Sequence, residues 1–384
     1  MFHMLIQTIF VLMIMHLGQS LEYCFYIVTL LQLFYYLFFF SRLAFFKPKT
    51  KSITQTHPVS LIICARDEAA NLVKNIPGAL AQVYATSHEV IVVNDNSVDE
   101  TKYVLEAFYK KFKQLRIVSL TQEAKGITGK KFPLSMGIKT AKYEVLLLTD
   151  ADCMPSSEFW LEKMQQGYDD NTEIVLGYGP LNKRKGLLNK LVRWETFHTA
   201  LQYLSYARAG IPYMGVGRNL SYKKDVFLRH KGFSAHNNIP GGDDDLFINM
   251  AATKHNTNIV IDKDAFTFSD PPLNWSQWKR QKNRHYSTSK YYKPLFKLLL
   301  GLYSLSQFLF YPLFLLSLLL SAWKLVTIMF ISKLIIQGTI IYRSMKKLNE
   351  KDLFPYFIFL DIWMFFYYII FSFSLLRKPA GNWK

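Results

Sequence analysis

Three cysteines in 384 residues, none in a C-x-x-C or Cys/His spacing, leave no material for a disulfide framework or a zinc ribbon. Acidic residues are the scarcer charge: 28 Asp+Glu face 46 Lys+Arg, a formal net charge of +18. Such a balance invites nucleic acid, yet no finger, RRM or helix-turn-helix signature goes with it, which argues against a nucleic-acid partner. Charge of either sign is nearly missing from the first 46 residues, where only Glu22 and Arg42 occur. A segment so poor in charge has no reason to face water, and with half of all residues hydrophobic the chain is not disordered either.

What is present is unevenly placed. Residues 23–40 form an apolar run long enough to cross a bilayer, and residues 295–323, 325–341 and 353–376 form three more. No basic leader and no small-residue cleavage site mark the first run as a signal peptide. The sequence therefore predicts a membrane anchor in residues 1–46 with one or two helices, a cytosolic domain in 47–293, and a carboxyl-terminal membrane region in 294–384 with two or three. Lys47, Lys49 and Lys51 mark the inner membrane end, and the loop from Tyr342 to Lys351 reads as cytosolic. The last run is ambiguous: crossing would put the basic tail outside, and Asp361 sits inside it, so it either spans or lies in the interface. The basic excess fits a plasma or inner membrane with anionic lipid, so the bilayer is the first expected partner.

The middle alternates apolar runs with helical patterns. Strands are predicted at 59–64, 89–93, 115–119 and 144–148, with helices at 69–81 and 99–112 between them. Continuous apolar strands linked by helical crossovers mean a parallel sheet buried on both faces, with ligands beyond the carboxyl ends of the strands. Three strands deliver acids to that edge: Asp67 and Glu68, Asp95, and Asp150 with Asp152. Asp-x-Asp alone is a weak motif, and Asp262-Lys-Asp264 reads as a surface loop. Asp150-Ala-Asp152 differs because it ends a Val-Leu-Leu-Leu strand, where paired carboxylates need a cation. Carboxylate and phosphate oxygens together suit Mg2+ or Mn2+.

Six segments carry more than this. Val59-Ser-Leu-Ile-Ile-Cys-Ala-Arg-Asp-Glu68, Val92-Val-Asn-Asp-Asn-Ser97, Leu148-Thr-Asp-Ala-Asp152, Gly215-Val-Gly-Arg-Asn219, Gly241-Gly-Asp-Asp-Asp-Leu246 and Gln281-Lys-Asn-Arg-His285 occur in this order. Together with Gly129-Lys-Lys131, the series resembles the motifs of family 2 glycosyltransferases, in particular the membrane-bound synthases of the cellulose, hyaluronan and poly-N-acetylglucosamine type. The resemblance covers about 230 residues. It implies an α/β fold of GT-A type, a Rossmann-like mixed sheet flanked by transmembrane helices. It also implies an inverting transfer from a nucleotide-sugar donor, UDP-linked by expectation, to a glycan or lipid-linked acceptor. Polysaccharide-export subunits are among the partners it allows.

Residue by residue, the resemblance implies donor contacts from Arg66, Asp67, Glu68, Asp95, Lys130 or Lys131, Asp150, Gln281 and Arg284. It implies a divalent metal on Asp150 and Asp152, and Asn219 and His285 beside the acceptor. Asp243 matches the position of the catalytic base, with Asp244 the second choice. Three departures stand out: Asp67 replaces Asn, Gly242 replaces Glu, and His285 replaces the Trp of processive members. The bland readings are that one or two of the three consecutive acids cap or open a helix at 246–253, and that 279–285 is a basic membrane-surface segment. A non-catalytic nucleotide-sugar-binding or glycan-translocating protein is the alternative function.

Overall fold

The computed structural model describes residues 2–48, 57–122, 126–320 and 323–372. Its centre is a seven-stranded mixed sheet. Val59–Ala65 (β1), His88–Asp95 (β2), Leu115–Leu120 (β3) and Val145–Asp150 (β4) run parallel. Of the remaining strands, Cys153–Pro155 (β5) leaves the sheet, while Ile174–Leu176 (β6), Leu220–Lys223 (β7) and Thr257–Ile259 (β8) extend it. The order is β3-β2-β1-β4-β7-β6-β8, with β7 antiparallel to both neighbours. Thr267–Ser269 (β9) pairs antiparallel with β5.

Every residue of β1 is buried, as the unbroken apolar run requires of a strand covered on both faces. The chain steps outward from β1 to β2 and β3, then returns to place β4 on the other side of β1. That reversal opens a crevice at the carboxyl ends of β1 and β4, where Cys64 pairs in register with Asp150. Predicted helices 69–81 and 99–112 appear as Ala69–Leu80 and Thr101–Tyr109. The Lys131–Thr140 helix lies tightly on the sheet because Gly137 has no side chain: a Cβ there would come within 2.8 Å of Ile62.

Among the described residues, four helices are long and apolar enough to cross a membrane: Ile6–Ala44, Pro294–Leu320, Trp323–Lys347 and Lys351–Phe371. The amino-terminal segment is one continuous helical run, not two. Its π-helical stretch, Tyr35–Phe40, turns four aromatics into the core, and Phe39 stacks on Tyr206 of the long Leu187–Arg208 helix with ring centroids 4.4 Å apart. The last helix, Phe357–Ser372, touches the α/β domain near both of its ends. Phe357 packs on Trp194 at 6.4 Å and Phe371 on Trp278 at 5.4 Å. It therefore runs alongside the domain. Asp361 within it does not face outward: it meets Lys333 at 3.5 Å and accepts from Gln307 and Gln337. The basic tail at 377–384 and Lys49 and Lys51 lie outside the described residues.

The loop before this helix grips the domain. Arg193 of the Leu187–Arg208 helix is 3% exposed and forks across Glu350 and Asp352, with Nε to Glu350 Oε2 at 3.0 Å and Nη1 to Asp352 Oδ2 at 2.8 Å. Tyr178 donates to the same Glu350. The expected cytosolic loop thus lies at the domain's end of the helices.

Candidate active site

A cavity of about 1120 Å³ lies over the crevice. Cys64, Glu68, Lys130, Asp150, Asp152, Asp243, Asp244, Gln281, Arg284 and His285 all line it. Motifs more than 200 residues apart in the chain, from Cys64 to His285, are therefore brought to one chamber.

The floor is electrostatically divided. Lys130, at the N-cap of the Lys131–Thr140 helix, forms an ion pair with Asp150. Burial opposes charge on Asp150, but Lys130, Arg218 and Arg284 overcome it and hold this carboxyl below its ordinary range. Asp152 moves the other way, raised by burial and by the neighbouring Asp150. Its carboxylate receives only the weak Cys153 thiol, at 3.4 Å, among the described residues. Ligand atoms of Asp150, Asp152 and Cys153 lie within 4.8 Å of one another. Burial and Asp152 keep the thiol protonated, so the oxygens are the available ligands. A carboxylate so poorly compensated, beside a second one, fits a hard divalent cation sharing diphosphate oxygens.

Lys130 and Lys131 separate clearly. Lys131 turns away from Asp150 and donates to the carbonyl of Ile239, in the loop leading to the consecutive acids. Arg66 lies 3.9 Å from buried Asp95 at the end of β2. Asp67 adopts φ +54°, a left-handed conformation that Asn and Asp tolerate best. Its carboxylate accepts from Val98 N–H at 2.8 Å and Asp99 N–H at 3.4 Å, bracing the loop after β2. The Asn-to-Asp departure is thus conservative, since either side chain offers that oxygen.

Asn219 requires a correction. Expected beside the acceptor, it is fully buried, donating to the carbonyls of Tyr178 and Ala265 and accepting from Trp160 Nε1. Its role is to lock β7 to the strands around it. The lining residue is its neighbour Arg218, whose guanidinium donates to Ser269 at 2.8 Å and whose charge bears on Asp150 and Asp152. Sequence reasoning passed over Arg218, although its place in Gly-Val-Gly-Arg-Asn was visible.

The three consecutive acids divide their labour. Gly241 and Gly242 both have φ +82°, and a Cβ on Gly242 would sit 2.5 Å from Leu246, so a Glu cannot occupy this backbone. Asp244 is the N-cap of the Asp245–Ala251 helix, accepting from Asp245 N–H at 2.7 Å and Gly217 N–H at 2.8 Å. Asp245 accepts from Thr288 and, at 2.8 Å, from Tyr292. Asp243 accepts no hydrogen bond among the described residues and faces the cavity. Capping thus accounts for Asp244, while Asp245 is taken up by Thr288 and Tyr292.

Burial, then Asp243 and Asp245, push the Asp244 carboxyl up to about 8 from its usual 3.8. The folded protein thus holds a proton that the unfolded chain releases near pH 4. That contribution to stability is full below about pH 4 and is lost as pH rises towards 8. Thermal unfolding in detergent should show a midpoint falling between pH 5 and 8, and Asp244→Asn, which keeps one of the two backbone contacts, should flatten part of the fall. An unchanged slope in the variant would contradict this assignment.

The Trp275–Ser289 helix, capped by Asn274, carries Gln281, Arg284, His285 and Thr288 at helical spacing on its cavity face. Lys279 and Arg280 are exposed on the other side, so this segment has both a cavity face and a basic outer face. His285 is wetted by the cavity yet surrounded by protein. That enclosure, with Lys282, Arg284 and Arg218 nearby, drives its pKa well below the usual value and keeps it neutral.

Residues 60–228 match the Glycosyl transferase family 2 model. The chain is 25% identical over 261 residues to the probable glycosyltransferase YdaM of Bacillus subtilis, covering 62% of this chain and 58% of that protein. It is 33% identical over 113 residues to the glycosyltransferase AglE of Haloferax volcanii, covering 29% and 36%. The chain thus spans little more than half the length of the first relative and less of the second. Among solved structures, the mannosyltransferase PcManGT of Pyrobaculum calidifontis, in complex with GDP-Man and Mn2+, is similar with a TM-score of 0.57 at 16% identity, over 91% of this chain and 99% of that one. The crevice, its acids and these likenesses converge: residues 60–228 resemble a glycosyl transferase family 2 domain, and the fold is of GT-A type.

Proposed function

We propose that the protein is a membrane-anchored inverting glycosyltransferase, with its catalytic domain on the cytoplasmic side and a nucleoside-diphosphate sugar as donor. The observation that carries this reading is the single cavity joining the Asp150–Asp152 pair and its cations to Asp243. Buried Asp95 with Arg66 lies where the nucleoside would sit, and Lys130, Arg218 and Arg284 supply positive charge where a diphosphate would leave. A divalent ion on Asp152, shared with Asp150, would neutralise the leaving group. That PcManGT holds both GDP-Man and Mn2+ supports a metal here.

Asp243 accepts the proton of an acceptor hydroxyl as its oxygen bonds to the anomeric carbon. The bond from that carbon to the diphosphate breaks, and its electron pair leaves with the diphosphate. Attack from the face opposite the leaving group inverts the centre. Neutral Asp244 leaves Asp243 with one fewer adjacent negative charge.

Purified protein assayed with a panel of UDP- and GDP-sugars should release nucleotide only with Mg2+ or Mn2+ present. Asp152→Ala should weaken metal-dependent donor binding by about tenfold or more, the scale of one lost charge-assisted contact. Donor turnover unaffected by chelator and by Asp152→Ala would overturn the metal assignment.

A further inference from the structure

The cavity does not end at the catalytic acids. Beyond Asp243–Asp245 its wall passes Lys290 and Lys297, then Gly301, Ser304, Leu305 and Phe308 of the Pro294–Leu320 helix, opposite Met364, Tyr368 and Ile369 of the last helix. Leu305 is 53% and Ile369 43% exposed although both line the cavity, so the chamber opens sideways on the apolar outer face of the helices. From Lys297 to Phe308 the helix rises ~16 Å, about half of a ~30 Å hydrocarbon core. There the wall closes: Phe308 and Phe365 stack at 4.8 Å, and Asp361 with Gln307, Gln337 and Lys333 fills the bundle behind them.

Three zones follow one another along this wall. Carboxylates suited to a hydroxyl come first. Next come two exposed lysines of the cavity wall, Lys290 and Lys297, joined by the Lys297 ammonium on the Lys290 backbone carbonyl at 3.4 Å and cationic enough to suit a phosphate. Last comes an apolar slot one leaflet deep. Lys282, which also lines this part of the cavity, is already neutralised by Glu195.

We propose that the acceptor is a glycerophospholipid with a hydroxyl-bearing head group, drawn laterally from the adjoining leaflet. Its head hydroxyl lies at Asp243, its phosphate at Lys290 and Lys297, and one acyl chain along Leu305 and Phe308. An ordinary acyl chain matches the depth of a single leaflet, and the closed far end has no path for a growing polymer among the described residues. This inference rests on the transferase reading, since the hydroxyl is placed by the proposed base.

The test uses the full chain in phosphatidylcholine nanodiscs carrying phosphatidylglycerol with a photoactivatable acyl chain. Labelling should concentrate on peptides containing Leu305 and Ile369 and be competed by unlabelled phosphatidylglycerol. It should fall about tenfold in a Lys290→Glu/Lys297→Glu variant, whose substitutions are solvent-exposed. Gly301→Trp, at a position where a Cβ meets nothing within 4 Å, should also block it. Equal labelling by a photoactivatable phosphatidylcholine or diacylglycerol, or no response to the lysine variant, would overturn the proposal. Nucleotide-sugar titration of the same discs separates the two readings: lost donor binding with intact lipid labelling sinks the transferase, and the reverse sinks only the lipid site.

Discussion

Asp243→Asn should lower sugar transfer by about 10²–10⁴-fold while leaving donor affinity within about threefold. The asymmetry follows from position. On the proposed reading Asp243 faces the acceptor; its charge bears on Lys130, but Lys130 makes its ion pair with Asp150, so the amide removes the proton acceptor and leaves that pair in place. The amide is nearly isosteric, and Asp243 caps no helix, so the unfolding midpoint should hardly move. Initial rates of nucleotide release with acceptor-containing membranes, alongside calorimetric donor titration, measure both terms. Transfer within threefold of the native enzyme would remove Asp243 from the role of base. Asp244→Asn is the control, because its carboxyl is occupied by two backbone N–H groups and should lose far less rate.

Arg193→Met should destabilise the protein by about 3–5 kcal/mol, the cost of stranding one partner of a buried ion pair. Glu350 is 1% exposed, and with Arg193 gone it would keep only the Tyr178 hydroxyl. Burial already pushes the Glu350 carboxyl up to about 7, against the pull of Arg193, so the variant should retain a proton there at neutral pH. Adding Glu350→Gln should recover much of the loss, because the amide is neutral without the proton that the buried carboxyl must take up. Denaturant or thermal unfolding of the two single variants and the double variant closes the cycle. A loss under 1 kcal/mol for Arg193→Met would mean that water or another cation reaches Glu350. The fork matters beyond stability, since Tyr178 contacts both Glu350 and Asn219 and lines the cavity. Loosening the membrane-side loop should therefore also slow transfer.

The parallel half of the sheet was legible from unbroken apolar runs, because a strand buried on both faces has no polar position to hide it. Short β6, β7 and β8 were not, as three or four residues carry too little periodicity. At the site, the acids were visible because each ends a strand or follows a glycine pair. Arg218 was missed and Asn219 misplaced for the same reason: adjacent residues on a tight turn point opposite ways, one to the cavity and one to the core. Gly242 in place of Glu looked like a defect of the motif. Its φ of +82° and the nearby Leu246 show a backbone built around glycine.

Composition and order alone determined that this chain has apolar ends, an α/β middle and a family 2 motif series, because burial patterns and motif residues are local properties of the chain. Tertiary structure decided which acid is unencumbered, which lysine meets Asp150, and that the last helix lies along the domain. Those depend on which groups compete for the same donors and on packing between segments hundreds of residues apart. The scarce acids noted at the outset thus acquire distinct tasks only when the fold assigns their partners.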